Sequence, residues 1–338
     1  MKAFILDCPS GSSFHFGKYA PDLNTALSDS SEICHSDTLF SAMVVTYLKL
    51  FGNVDEFIQI VKNGEVTFSS VFHCLENNGS YIYFLPKPLS FNNTQDKKIK
   101  KIKYLSNGVW QSIQNVQELL NDKIVILQNK FAILKSELGN LSNFQTENFK
   151  VYNDVYQTKV HIHKKEKTGG LYEVHKIEMP DLKQIDLSFK TNLYFLFNED
   201  ITDEDLKKRF YKMLDLLAFD GIGGERSNGN MMLDYKIVEG LNFDHVDSNS
   251  FTNLSLVSPT KDDLEEVLYS DYIIRGGRKT GIDSLSLKIV SMMSEGSIFT
   301  KKIIGTLIDI SPDHSDTGRY LRCGKGFSLS IKPEWHDK

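Results

Sequence analysis

The chain has 338 residues, 39 Lys+Arg against 44 Asp+Glu, and a formal net charge of −5. With 41% hydrophobic and 25% charged residues it is composed like a globular protein long enough for two cores, which excludes a disordered tail protein and a small disulfide scaffold. No apolar run approaches the ~18 residues that cross a bilayer, the apolar stretch after Met1 is too short for a secretion signal, and Cys8, Cys34, Cys74 and Cys323 are scattered, so the expectation is a reduced, cytoplasmic protein without membrane contact.

Residues 2–8 read as a strand ending at Pro9. The loop Gly11-Ser12-Ser13-Phe14-His15-Phe16-Gly17-Lys18 follows. It combines backbone donors, hydroxyls, aromatic rings and a cation, the groups that hold the phosphates and stack the bases of a single strand. His35-Ser36-Asp37-Thr38 opens a helix expected over Thr38–Phe51, with Ser36 and Asp37 as N-cap residues and Gly52 as its stop. Nearly every position from Leu39 to Leu50 is apolar, which predicts a helix buried on most of its surface. Short strands are expected at Val66 to Phe72 and Tyr81 to Leu85, the latter ended by Pro86-Lys87-Pro88. Lys97 to Lys103 packs five lysines into seven residues, and Trp110, Ile113, Val116 and Leu119 then follow a helical spacing.

Residues 122–150 are polar and mixed and read as an irregular connection. Residues 155–178 read as a basic hairpin, Tyr156 to Lys164 and Leu171 to Ile177 around Thr168-Gly169-Gly170. Lys159 and His161 stand on its first arm, and Lys164, Lys165 and Lys167 at its tip. Such a tip is either a solubilising edge device or a finger reaching for phosphate. Leu193 to Phe197 is a second bulky strand. Thr202 with Asp205 resembles a capping box, and Leu206, Phe210, Met213, Leu214 and Leu217 mark one helical face. Two strand–helix starts predict two domains of similar design, 1–185 and 186–338.

The most specific local feature follows that helix. Gly221-Ile222-Gly223-Gly224-Glu225-Arg226-Ser227-Asn228-Gly229 holds four glycines in nine residues, a loop whose backbone N–H groups can approach an anion. Arg226 offers a bidentate grip on phosphate, and Ser227 and Asn228 offer further donors. The loop lacks the Gly-Lys-Ser/Thr ending of a nucleotide-hydrolysing loop, and it follows a helix where a dinucleotide fingerprint would open one. Further basic clusters lie at Arg275 to Lys279, with Arg278, and at Arg319 to Lys325, with Tyr320 and Arg322.

Catalytic signals are thin. His15 and His35 are the candidates for a metal-free acid–base pair. His161-x-His163 and His73-Cys74 lack a third ligand at a characteristic spacing, so neither a metal nor another cofactor is expected.

In chain order, Phe14-His15-Phe16-Gly17, His35-Ser36-Asp37-Thr38-Leu39-Phe40-Ser41-Ala42, Tyr83 to Pro88, the lysine run into Lys103-Tyr104-Leu105, Gly221 to Gly229, Tyr272 to Arg278, Glu295-Gly296-Ser297-Ile298-Phe299 and Gly324-Lys325-Gly326-Phe327 resemble the RAMP superfamily of CRISPR proteins. More narrowly, they resemble the fourth Csm subunit, which caps the 5′ end of the guide RNA (crRNA) in type III-A effector complexes. The resemblance implies an α+β fold of two ferredoxin-like (RRM-like) domains with glycine-rich loops and a β-hairpin thumb, which by position and charge maps onto the basic hairpin. It implies a non-catalytic crRNA-binding subunit that grips the 5′ handle and joins the large polymerase/cyclase-like subunit to the repeated backbone subunit, meeting target RNA only indirectly. The glycine-rich loop, the His35-Ser36 helix opening and residues Ser12 to Lys18 then form the RNA grip, with Phe14, Phe16 and Tyr320 as stacking candidates and Arg226, Arg275, Arg278, Arg319 and Arg322 neutralising phosphates. A guide-processing endoribonuclease using His15 or His35 is the alternative within the same superfamily.

Overall fold

The computed structural model of the chain describes residues 1–19, 28–162, 169–183, 185–186, 188–224, 233–245, 248–277, 286–312 and 319–335. β1 (Lys2–Asp7) and β2 (Ser13–Phe14) lead to α1 (Ser36–Phe51), which stops at Gly52 with φ 73°, the left-handed conformation that glycine adopts without penalty. His35 is the N-cap, and its side chain makes no capping bond; Ser36 and Asp37, expected as caps, are buried instead. The helix is also less enclosed than expected, because Val45, Leu48 and Leu50 remain exposed.

α2 (Asp55–Asn63) precedes β3 (Val66–Phe68), β4 (Phe72–Asn77) and β5 (Ser80–Pro86). The single strand expected over 66–72 is therefore two. The break falls at Ser69 and Ser70, whose hydroxyls accept from the backbone N–H of Leu196 (2.9 Å) and Ser36 (2.9 Å). β4 and β5 form a hairpin turning at Asn78-Gly79, both with positive φ (48° and 80°), as a two-residue primed turn requires. Next come α3 (Lys97–Lys101), β6 (Tyr104–Ser106) and α4 (Asn107–Ser112). The helical spacing from Trp110 to Leu119 is interrupted after Ser112 and resumes as a 3-10 turn, Val116–Leu120. Residues 122–150, read as irregular, contain the hairpin of β7 (Ile124–Leu127) and β8 (Phe131–Leu134) and the short α5 (Asn143–Asn148).

β9 (Asn153–Ile162) and β10 (Gly169–Glu178) form the expected hairpin, in register from Asn153 against Glu178 to Ile162 against Gly169. β11 (Phe189–Glu199), α6 (Glu204–Asp220) and β12 (Asp234–Val238) follow. Asp203, rather than Thr202, caps α6, its carboxylate accepting from the N–H groups of Asp205 and Leu206.

The main sheet runs β12-β1-β11-β4-β5-β6-β8-β7, with β3 beside β11. In its first four strands each is antiparallel to its neighbours. Together with α1 and α6 they form a β-α-β-β-α-β unit of ferredoxin-like order. Both strand–helix starts, β1–α1 and β11–α6, thus contribute to one sheet, and the expected boundary at 185/186 falls just before β11. Ala3 to Leu6 and Leu193 to Phe197 are buried without alternation, so both faces of this sheet are covered.

The C-terminal part is a set of short ribbons: β13 (Phe251–Asn253), β14 (Val267–Tyr269), β15 (Tyr272–Arg275), β16 (Val290–Met293), β17 (Ile298–Phe299), β18 (Gly305–Asp309), β19 (Leu321–Lys325) and β20 (Ser328–Ser330). They pair as β14-β17-β13-β20, β15-β16 and β18-β19. Leu254, Phe327, Leu329 and Trp335 share one continuous core with the main sheet. Among the described residues no helix is long and apolar enough to cross a membrane.

Candidate nucleic-acid interface

The two glycine-bearing loops meet. The N–H of Gly224 donates to the His15 carbonyl (2.8 Å), closing a one-residue antiparallel bridge. Gly223 has φ 89°, and a Cβ there would lie 2.7 Å from that carbonyl oxygen and 3.0 Å from the Phe16 ring. Only glycine fits this position. β2 pairs with β10 at Ile177 and Glu178, so the base of the hairpin joins the same place.

Burial corrects the stacking expectation. Phe14 and Phe16 are 1% and 2% exposed and stack on each other (centroids 5.8 Å apart), leaving no face for a base. The buried His15 ring is held through Nδ1 by the His175 carbonyl oxygen (2.8 Å). Ser12 is half-buried in a backbone turn, donating to Pro9 and accepting from Met179. Gly17 and Lys18 are exposed, and Lys18 pairs with Asp29 at 2.9 Å. Lys159 is half-buried opposite Tyr172, and His161 stands opposite Gly170. Gly221 ends α6 with φ 74°. Arg226, Ser227, Asn228, Gly229 and Arg278 lie outside the described residues, as do Lys164, Lys165 and Lys167.

At the start of α1 the expected phosphate ligands are already engaged. Arg275 grips the Asp37 carboxylate with two bonds, Nε to Oδ2 at 2.9 Å and Nη2 to Oδ1 at 3.0 Å, and Arg322 binds the same carboxylate through Nη1. All three are buried. Burial alone would raise the Asp37 carboxyl, but the two guanidinium groups, Arg275 foremost, hold it at about 2. Arg275 and Arg322 are therefore internal fasteners between α1 and the C-terminal ribbons, which corrects their reading as phosphate neutralisers. Ser36 does the same work by hydrogen bond, its Oγ accepting from the Leu256 N–H (2.9 Å). His35 donates or accepts through Nδ1 at 2.8 Å from Glu295, which Ser70 also binds. Burial would raise the Glu295 carboxyl, but His35 and these hydrogen bonds keep it below its usual range. No hydrogen bond joins His15 to His35 among the described residues; each ring is held by a partner of its own. Arg319 is exposed and Tyr320 half-buried immediately before β19, at the loop end of the β18–β19 hairpin, and neither lines the cleft described next.

That cleft, about 840 Å³, opens beside the N-terminal loop. Its walls are Lys18–Tyr19, the loop 29–35, Pro86–Leu89, the Lys100–Tyr104 stretch and β15. Five lysines line it: Lys18, Lys87, Lys100, Lys103 and Lys130. Glu32 organises two of them, taking Lys103 at 2.5 Å and Lys130 at 2.8 Å, and it accepts from the Tyr152 hydroxyl at 2.6 Å. Burial opposes its charge, yet these partners, Lys103 first, hold its carboxyl at about 2. His175 lines the cleft with both nitrogens occupied: Nδ1 accepts from Ser30 N–H (3.0 Å) and Nε2 meets Asp154 (2.9 Å). Glu32, Lys87, Lys130 and His175 were not singled out as ligands from sequence; only Lys87, framed by two prolines, carried a local signal. Among the described residues no group of His, Cys, Asp or Glu is placed to hold a metal ion.

Residues 246–331 match the family model for the CRISPR Csm4 C-terminal domain. A relative from Methanocaldococcus jannaschii, described as "CRISPR system Cms protein Csm4", is 27% identical over an alignment covering 100% of this chain and 96% of that protein. The fold is similar to that in the crystal structure of a Csm3-Csm4 subcomplex of the type III-A CRISPR-Cas interference complex, with a TM-score of 0.69 at 22% identity, covering 98% of this chain and 100% of the other. It is also similar to a chain in a Csm1-Csm4 cassette in complex with pppApApA, with a TM-score of 0.51 at 16% identity and 98% coverage of both.

Proposed function

We propose that the chain is a Csm4-type subunit of a type III CRISPR effector complex, one that grips the 5′ handle of the crRNA and joins the large polymerase-like subunit to the repeated backbone subunit, without chemistry of its own. The observation that carries this reading is the lysine-lined cleft beside the joint of the N-terminal and glycine-rich loops. A single strand leaving the glycine-rich loop would pass Gly17 and Lys18 and enter the cleft, its phosphates meeting Lys100, Lys103 and Lys130. The covered faces of the main sheet leave no open platform for bases, so loops and cleft walls carry the contact. The β9–β10 hairpin exposes Tyr156, Val160 and Leu171. That apolar surface on a projecting ribbon supports its role as the thumb that separates handle from guide. Copies of Csm4 in the similar structures assemble with Csm3 and with Csm1, and the same two neighbours are proposed for this chain.

The test is a titration of 5′-handle crRNA with the chain alone and with its neighbouring subunits, at two salt concentrations. Salt-sensitive binding of intact RNA that favours the handle is the expected result. A single shortened product, abolished in His15→Ala or His35→Ala, would make the protein an endoribonuclease. Absence of binding in the assembled complex would leave a protein scaffold only.

A further inference from the structure

Lys87 stands between Pro86 and Pro88 at the end of β5, lines the cleft, and is 6% exposed. Its backbone is held from two sides. Its N–H donates to the Lys103 carbonyl at 2.8 Å, and Gly296 lies so close that a Cβ there would be 2.6 Å from the Lys87 carbonyl oxygen. The ammonium has three protons to donate. One goes to the Ile99 carbonyl oxygen at 2.7 Å, an acceptor already used by the Ile102 N–H.

Among the described residues no carboxylate lies within ion-pair distance of the Lys87 ammonium. The charged groups on the elements around it are accounted for. Lys100 and Lys103, on α3 and the stretch after it, share its sign. Glu295, beside Gly296, is held by His35 and Ser70, and Arg275 by Asp37. Glu32 is taken by Lys103 and Lys130. Asp271, on the turn before β15, lines the cleft without a salt bridge to Lys87. A buried cation without a counter-ion is unfavourable, and an anion entering from the cleft relieves it.

We infer that Lys87 seats one backbone phosphate of single-stranded RNA in the cleft, the phosphate supplying the negative charge that the fold withholds. The inference rests on the RNA-binding reading above and adds to it a position and a proton. Burial lowers the Lys87 ammonium to about 8 in the free protein. A bound phosphate favours the charged form and raises it. RNA therefore binds with proton uptake near pH 8, and affinity declines as pH rises through the free value. The protonated fraction drops from about nine-tenths at pH 7 to about one-tenth at pH 9, so affinity weakens about tenfold over that interval.

The experiment measures binding of 5′-handle crRNA to the full chain, alone and in complex with its neighbouring subunits, from pH 7 to 9. Wild type, Lys87→Arg and Lys87→Met are compared, each checked for a cooperative thermal transition. Expected are a tenfold decline for wild type, a nearly flat profile for Lys87→Arg, whose guanidinium stays charged throughout, and weak binding at every pH for Lys87→Met. RNA bases titrating near pH 9 affect all three alike. Calorimetry of the wild type in two buffers of different ionisation enthalpy should show proton uptake at pH 8, a readout independent of whether Lys87→Met folds. Parallel profiles for wild type and Lys87→Arg, or absence of proton uptake, would reduce Lys87 to a tether for the end of α3 while leaving RNA binding intact. Failure of every variant and the wild type to bind RNA in the assembled complex would instead overturn the RNA-binding reading itself.

Discussion

Two charged clusters lie within the same molecule and are put together in opposite ways. Around Asp37, two guanidinium groups and one carboxylate are buried together, and the carboxylate takes three bonds from them. Around Glu32, one carboxylate serves two lysines, and three more lysines line the same cleft. The first is an internal fastener between α1 and the C-terminal ribbons. The second sets its lysines along the wall of a cleft that solvent, and a polyanion, can enter. In sequence both are merely basic residues near acidic ones; the partner each side chain finds decides whether its charge is spent inside or presented outside.

The comparison can be broken most forcefully at Asp37. Replacing it by alanine leaves Arg275 and Arg322 buried without their partner and should cost about 3–5 kcal/mol in urea denaturation. Because the Asp37 carboxyl is depressed from 3.8 to about 2 on folding, its contribution is present above pH 4 and lost as pH falls from 4 to 2. A wild-type stability profile that is flat between pH 5 and 2 would contradict this assignment, for Glu32 shares the window. Gly223→Ala is next: a side chain at φ 89° pressed on the His15 carbonyl should destabilise by roughly 1–3 kcal/mol and loosen the joint between the two loops. Hydrogen exchange of the Gly224 amide would report it.

Glu32→Gln separates the two clusters most directly. It should lower stability by only about 1 kcal/mol at neutral pH, while releasing Lys103 and Lys130 and raising RNA affinity severalfold at low salt. A loss of affinity would show that Glu32 is needed to aim those lysines. The smallest effect is expected from Lys100→Ala: stability within about 0.5 kcal/mol of wild type, and a salt slope for RNA binding reduced by about 0.7.

What could be read from sequence follows the same division between local and distant partners. α1 with its Gly52 stop, the hairpin β9–β10 and the apolar face of α6 depend on local period and turn chemistry, and all three were legible. The β4–β5 hairpin is equally local, since Asn78-Gly79 is a strong two-residue turn signal. Asp37, Arg275 and Arg322 find one another across 238 and 285 residues of separation, and no periodicity announces such a meeting. Phe14 and Phe16 illustrate the converse: aromatic rings in a glycine-rich loop suit base stacking, but the packing of Gly223 and β10 onto that loop enclosed them. The resemblance to Csm subunits rests on the order of short motifs and does not depend on these local partners, whereas among the individual ligand candidates Phe14, Phe16, Arg275 and Arg322 are turned inward by theirs.

The position of β11 has a consequence for how the protein is made. Lys2 pairs with Phe197 and Leu6 with Leu193, so β1 has no central partner until the long stretch that separates it from β11 has been synthesised. During that time Phe4, Ile5 and Leu6, fully buried in the finished sheet, have only non-native surfaces to meet, the situation in which long-range pairing is slow and prone to aggregation. A fragment ending before β11 would lack the strand that holds β1 to β4, and it would not be a smaller version of this protein. Birth of the core is therefore a late event in synthesis, and co-expression with chaperones or neighbouring subunits should matter more for this chain than its ordinary composition suggests.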